Sequence, residues 1–195
     1  PPPPLLAHKH GKTLEYSKDA AALDKSIRKR VADGLTVRYG EGAATLDGAA
    51  LSKFASGLKE YFGFFDKVNK RLRDDKITEL LPRLDLSKRA DFEGEKKAPP
   101  KKIEKLEKEL KKLQKERDFK SIEPRFDEEH NLWEVKYVNS QGAEHLINWE
   151  LASTAECRQL LSKFKQVEPY MEPPFVIEAV SDATAGSSEE ETGGD

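Results

Sequence analysis

Pro3-Pro4-Leu5-Leu6-Ala7-His8-Lys9-His10-Gly11-Lys12-Thr13-Leu14-Glu15-Tyr16-Ser17-Lys18-Asp19 changes structural period within one short stretch. Leu5–Lys9 and Thr13–Tyr16 read as two short β-arms around His10-Gly11-Lys12, where glycine supplies the positive φ of a tight turn. Ser17 or Asp19 then serves as N-cap of a helix. A hairpin followed by a helix, with the further helices and antiparallel strands read along the chain, is expected to give an α+β fold. The expected architecture is a small antiparallel sheet or meander packed with several α-helices, one of them rich in lysine.

The segments that follow fit that class. Asp19–Asp33 places Ala22, Leu23, Ile27 and Val31 at helical spacing, with Gly34 as the stop signal. Leu35–Tyr39 alternates and is rich in β-formers, with Ala43–Leu46 as a partner across Gly40-Glu41-Gly42. Asp47 caps the clearest helix, in which Leu51, Phe54, Ala55, Leu58, Tyr61, Phe62, Phe65, Val68 and Leu72 form one apolar stripe. Gly57 and Gly63 inside it each cost about 1 kcal/mol relative to alanine. Asp74–Leu81 is a short helix stopped by Pro82. Arg83–Pro100 has few apolar residues and reads as linker or loop. Pro99 and Pro100 lead into a helix over Lys101–Asp118, whose seam is Ile103, Leu106, Leu110 and Leu113.

Beyond Phe119 the period switches to two. Leu132–Val138 and the alternating Ala143, His145, Ile147 and Trp149 are strands joined by Asn139-Ser140-Gln141-Gly142. Ser121-Ile122-Glu123 is a third, edge strand, because Pro124 cannot donate to a central ladder. Ser153-Thr154-Ala155-Glu156 is a capping box opening a helix, and Phe175-Val176-Ile177 a last short strand. The Gly/Ser/Glu-rich stretch 181–195 is expected to be disordered. The sheet is expected to be covered on one face by the Asp47–Leu72 and Ser153–Val167 helices.

The chain of 195 residues is 36% charged and carries a net charge of −2. That small sum hides an asymmetry. Eleven Lys/Arg face five Asp/Glu from Lys96 to Lys120, and six acids stand without a base from Glu178 to Asp195. The single cysteine, Cys157, excludes an intrachain disulfide framework and suits a reducing compartment. No apolar run approaches the roughly 18 residues of a membrane span, and a cytoplasmic location is expected.

No catalytic constellation stands out. His8 and His10 alternate on one hairpin arm without a third ligand, and His130 and His145 sit apart. Cys157 lies in a first helical turn, where the dipole favours a thiolate, but has no companion histidine. The expected catalytic, metal and cofactor sites are therefore none. The basic tracts remain. Lys25, Arg28, Lys29, Arg30, Lys101, Lys102 and Lys105 are the candidates for weak, electrostatic DNA binding. The competing reading is a solvated helix face, with Glu104, Glu107, Glu109 and Glu116 paired to neighbouring lysines. No acid intervenes within Arg28-Lys29-Arg30, and no aromatic side chains interleave with the lysines, which disfavours a base-stacking platform.

The pattern Pro-Pro-Leu-x₅-Gly-Lys-x₃-Tyr-x-Lys-Asp at Pro3–Asp19 resembles DNA gyrase B just past its Toprim metal site, departing at Leu6, where that family carries tyrosine. Asn131-Leu132-Trp133-Glu134, Glu156-Cys157-Arg158-Gln159-Leu160 and Glu172-Pro173-Pro174-Phe175-Val176 are similar to the insertion that some members carry. The resemblance covers about half of the chain and leaves the lysine-rich helix unmatched. It implies that 1–27 is the end of the Toprim-like region and 28–82 a helical first part of the insertion. Residues 83–100 would be the linker, 101–180 the basic helix with meander and helix, and 181–195 an acidic tail.

The family's enzyme is an ATP-dependent type IIA topoisomerase that negatively supercoils DNA. Its Glu-Gly-Asp and Asp-x-Asp carboxylates for Mg²⁺, its ATP lid and its Gln-Arg-Tyr-Lys-Gly-like motif do not occur here. The resemblance thus implies a non-catalytic piece that positions DNA or buttresses neighbouring subunits. ATP and Mg²⁺ belong to the parent, and the partners are DNA, gyrase A and the rest of gyrase B, with no membrane. The alternative is a free-standing α+β module that binds protein or nucleic acid without enzymatic activity.

Overall fold

A computed structural model describes residues 6–9, 12–30 and 34–180, with side chains from 14 to 30 and 34 to 179. The protein is mixed α+β. Its residues divide into two compact units, one running through Glu60 and resuming at Lys165, the other spanning Tyr61–Phe164.

The first unit is built on a five-stranded antiparallel sheet. β1 (Leu6–Lys9) and β2 (Lys12–Ser17) form the expected hairpin, with Lys9 opposite Lys12; its turn at His10-Gly11 lies outside the described residues. α1 (Ala20–Lys29) follows, and Asp19 is its N-cap, accepting the Ala22 amide at 2.8 Å. Of the expected helix to Asp33, the part at 31–33 lies outside the described residues. β3 (Leu35–Tyr39) and β4 (Ala44–Asp47) pair antiparallel, as their alternation requires. The last strand, β8 (Phe175–Val180), enters the middle of this sheet and gives the order β1-β2-β8-β3-β4. Phe175 and Ile177 are fully buried on its inward face, alongside Val37 and Leu46. β8 has a partner on both sides, Glu15 and Val37 flanking Ile177.

α2 (Gly48–Leu72) supplies Leu51, Phe54 and Leu58 to this core. Phe54 and Tyr39 both meet Tyr170 edge-on, with ring centroids 5.6 and 5.7 Å apart. Gly57 has a packing reason: a Cβ there would come within 3.0 Å of Val167 Cγ1.

The second unit begins at Tyr61 on the same helix. α3 (Asp75–Arg83) is capped by Asp74, which accepts the Lys76 and Ile77 amides. Pro82 does not stop it. Instead Pro82 is buried in its last turn, and the helix closes at Leu84. α4 (Lys101–Arg117) buries Ile103, Leu106 and Leu110, while Leu113 is only half-buried. Asp118 ends α4 in a left-handed conformation, φ 54°.

A separate three-stranded meander follows, β5 (Ser121–Asp127), β6 (Leu132–Val138) and β7 (Glu144–Ile147), in that order. β5 continues through Pro124, which lies opposite Val135 on this edge strand. Trp133, Val135 and Tyr137 share the buried face, while Lys136 on the other face pairs with Glu144 at 2.9 Å. A short α5 (Trp149–Ala152) takes Trp149 out of the strand, because Asn148 caps it by accepting the Leu151 amide. α6 (Ala155–Val167) is capped by Thr154, whose hydroxyl accepts the Cys157 amide at 3.3 Å.

Two further expectations are corrected. The strands form two sheets rather than one. Residues 83–100 are no linker: a 3₁₀ turn at Arg89–Phe92 buries Phe92 completely, and Leu86 is 5% exposed. Asp91 holds this turn by accepting the Ser87 and Lys88 amides, and Trp133 Nε1 donates to Glu95 O at 3.1 Å. The divisions between the two compact units fall inside α2 and α6. A boundary inside a continuous helix leaves no Gly/Pro/Ser signature for the sequence to display.

Candidate functional site

The basic cluster of α1 is electrostatically sorted. The acids absent from Arg28-Lys29-Arg30 itself are supplied from elsewhere in the same unit. Arg28 pairs with Asp24 one turn earlier, at 3.0 Å. Arg30 Nε donates to Glu15 Oε2 on β2 at 3.0 Å, and Ser26 Oγ donates to Glu15 Oε1 at 2.7 Å. Both arginines are thus engaged in holding α1 to itself and to the sheet. Lys25 and Lys29 are exposed and form no ion pair among the described residues.

The lysines of α4 divide in the same way. Lys102 points back into its own unit, its ammonium donating to Asp85 O at 2.6 Å and pairing with Asp91 at 3.3 Å. Lys111 pairs with Glu107 at 3.4 Å and Lys112 with Glu109 at 2.9 Å. Arg117 bridges Asp74 and Asp75 at 3.4 and 2.7 Å, tying the end of α4 to the start of α3. Lys101 and Lys105 are exposed and have no ion-pair partner among the described residues, and the same is true of Lys108 and Lys115. Of the seven sequence candidates, Arg28, Arg30 and Lys102 are tied to structural partners. Lys25, Lys29, Lys101 and Lys105 present their charge to solvent.

Cys157 and His145 sit in structural surroundings. Cys157 is 9% exposed, and burial pushes its thiol pKa up, overriding the lowering influence of the Thr154 hydrogen bond. The thiol is therefore protonated rather than activated. His145 stacks on Tyr137, centroids 5.0 Å apart, with Nε2 3.3 Å from Asn139 Nδ2. The side chains of His8 and His10 lie outside those described.

One group escaped the sequence reading. In the β5–β6 turn, Asp127, Glu129 and His130 hold possible ligand atoms within 4.8 Å of one another. His130 Nδ1 donates to Asp127 Oδ2 at 2.6 Å, which raises the histidine pKa and lowers that of the carboxyl. The Asp127 carboxylate also accepts the Glu129 amide at 3.1 Å, an arrangement typical of an Asx turn. The Asp-x-x-His spacing is the signal that would have found it.

No protein-family model matches the chain, and no curated protein does. Among the described residues, no helix is long and apolar enough to cross a membrane.

Proposed function

We propose that this chain is a non-catalytic insertion module of DNA gyrase B, contributing DNA positioning or buttressing between subunits to an ATP-dependent type IIA topoisomerase. The observation that carries the reading is topological. β1, β2 and β8 are consecutive in one sheet, with Lys9 opposite Lys12 and Lys12 opposite Val180. The first and last described strands thus belong to one sheet, with only β2 between them. A segment whose first and last strands share a sheet in this way can hang between two successive elements of a host. The segment that resembles gyrase, Pro3–Asp19, is also the one that contributes this hairpin and the cap of α1.

Function on this reading lies in charge and shape. Phosphoryl and transesterification chemistry belong to other parts of the parent, and the chain's own contribution is cationic side chains on rigid helices. The coding sequence on either side tests it. Glu-Gly-Asp and Asp-x-Asp motifs before Pro1, with a Gln-Arg-Tyr-Lys-Gly-like motif after Asp195, are the expected result. A start codon at Pro1 together with a stop codon after Asp195 would overturn the proposal in favour of a free-standing module. The purified chain should also neither hydrolyse ATP nor cleave DNA, and turnover that survives contaminant controls would count against it.

A further inference from the structure

The lysines of α4 that lack a partner are not scattered. Lys101, Lys105, Lys108 and Lys115 follow at steps of four, three and seven residues, and all four are exposed. At about 100° per residue these steps keep them within an arc of about 80°. Ile103, Leu106 and Leu110, which are fully buried, lie on the opposite side. Lys112 falls in the same arc but is held by Glu109 at 2.9 Å. The flanking acids are Glu104 and Glu107 on one edge and Glu109 and Glu116 on the other, and Glu107 and Glu109 are occupied by Lys111 and Lys112. The internal ion pairs thus occupy Glu107 and Glu109, while Glu104 and Glu116 form no ion pair among the described residues and flank a row of four ammonium groups without partners along the outer ridge. The row spans 14 residues, about 21 Å at 1.5 Å per residue.

We infer that this ridge is a docking surface for the phosphate backbone of duplex DNA, lying along the outer face of α4 and engaging Lys101, Lys105, Lys108 and Lys115. Charge complementarity selects a polyanion. Side chains three and four residues apart on a helix stand about 5–6 Å apart at Cβ, and such a row suits successive charges on a strand rather than a single anion. No aromatic residue occurs between Lys101 and Arg117, so the ridge offers nothing on which unstacked bases could lie. A duplex, gripped by its backbone without regard to sequence, is the occupant that remains. The choice of DNA rests on the proposed gyrase reading; the ridge itself does not.

The test uses the full chain and a fluorescent duplex of 20 base pairs, followed by anisotropy over a salt series. If the four lysines each neutralise a phosphate, log Kd should rise with log salt with a slope of about 3.6, a loss of roughly 150-fold in affinity between 50 and 200 mM. A variant carrying Lys101→Gln, Lys105→Gln, Lys108→Gln and Lys115→Gln keeps good helix formers at every position. It should lose most of that slope and bind more than tenfold more weakly at low salt.

A matched variant removes four lysines that are already paired, Lys96, Lys111, Lys120 and Lys136, and so changes net charge by the same amount. It should retain most of the slope. Equal losses in the two variants would show a response to net charge alone and overturn the ridge. So would unchanged binding in the first variant, or a preference for vesicles containing phosphatidylserine over the duplex. Because the flanking coding sequence decides the gyrase reading independently, either idea can fail alone.

Discussion

Arg30 and Glu15 join α1 to β2: the guanidinium Nε lies 3.0 Å from Glu15 Oε2, while Ser26 fills the other carboxylate oxygen at 2.7 Å. The Arg30 and Glu15 side chains are 27% and 14% exposed, so neither is a freely solvated surface charge. Removing one partner leaves the other partly buried and unsatisfied.

Arg30→Ala or Glu15→Gln should therefore destabilise the protein by about 1–2 kcal/mol, the range for losing one side of a partly buried charged hydrogen bond. Lys25→Ala and Lys29→Ala, in the same helix, should stay within about 0.5 kcal/mol. Urea denaturation of the four variants separates the outcomes. Equal midpoints for Arg30→Ala and Lys29→Ala would show that the bridge to β2 contributes nothing to stability.

Phe92→Ala should cost about 3–5 kcal/mol, because that ring is wholly buried within a stretch whose composition reads as linker. Phe62→Ala should cost less than half as much. The apolar spacing of α2 predicts Phe62 to be a full core residue, but its ring is only half-buried beside Tyr61 and Phe65. Thermal melts of the two variants, compared with Leu58→Ala as a core reference, test the ranking.

The two glycines of α2 should respond in opposite senses to alanine. Gly63 is exposed and a Cβ there meets nothing within 4 Å, so Gly63→Ala should stabilise by about 0.5–1 kcal/mol. At Gly57 the contact with Val167 should more than cancel that gain. Gly94→Ala should be the worst of the three. Its Cβ would come within 3.0 Å of both Ala98 O and Pro100 Cδ and within 3.2 Å of Trp133 Cδ1, and overpacking of this kind costs about 1–3 kcal/mol. A shift in Trp133 fluorescence should accompany it.

The Asp127–His130 pair sets a pH window. His130 has a raised pKa in the fold, so its contribution is fully present below the ordinary histidine value and is lost as pH rises through the raised one. Asp127 has a lowered pKa, so its contribution is present above the ordinary carboxylate value and is lost as pH falls through the lowered one. The turn is therefore best held at mildly acidic pH, between the two ordinary values. In an NMR titration the His130 ring protons should report a midpoint above that of a free histidine, and Asp127→Asn should return it to normal. An unchanged midpoint in Asp127→Asn would assign the shift to another neighbour, Glu129 or Glu150.

Much of the local structure was legible from residue patterns. Asp19 and Asp74 lie at helix starts because short polar side chains accept from free amides there, although the sequence did not choose between Ser17 and Asp19. The capping box read at Ser153–Glu156 named Ser153, whereas Thr154 caps α6, and the Asn148 cap of α5 was not read at all. The period of two read from Phe119 to Trp149 marked the meander, which ends at Ile147. The seam Ile103, Leu106, Leu110 marked the buried face of α4. The candidate surface was half legible, since lysine-rich tracts are visible in composition but their partners are not. Nothing in the local sequence says that Lys102 turns inward to Asp85 and Asp91, or that Glu15 reaches Arg30 across fifteen positions.

The sequence by itself determined the α+β class, most of the elements and the places where charge accumulates, because these follow from side-chain periodicity and capping within a few residues. Only the tertiary structure decided that β8 lies between β2 and β3, that the strands form two sheets, and that Phe92 and Trp133 anchor residues 83–100. These are pairings between residues far apart in the chain, and an apolar triplet such as Phe175-Val176-Ile177 suits an edge and a centre equally well. The same holds for the cations. Whether a lysine is free or spent depends on which distant acid or carbonyl folding brings within about 4 Å, and that distance exists only in three dimensions.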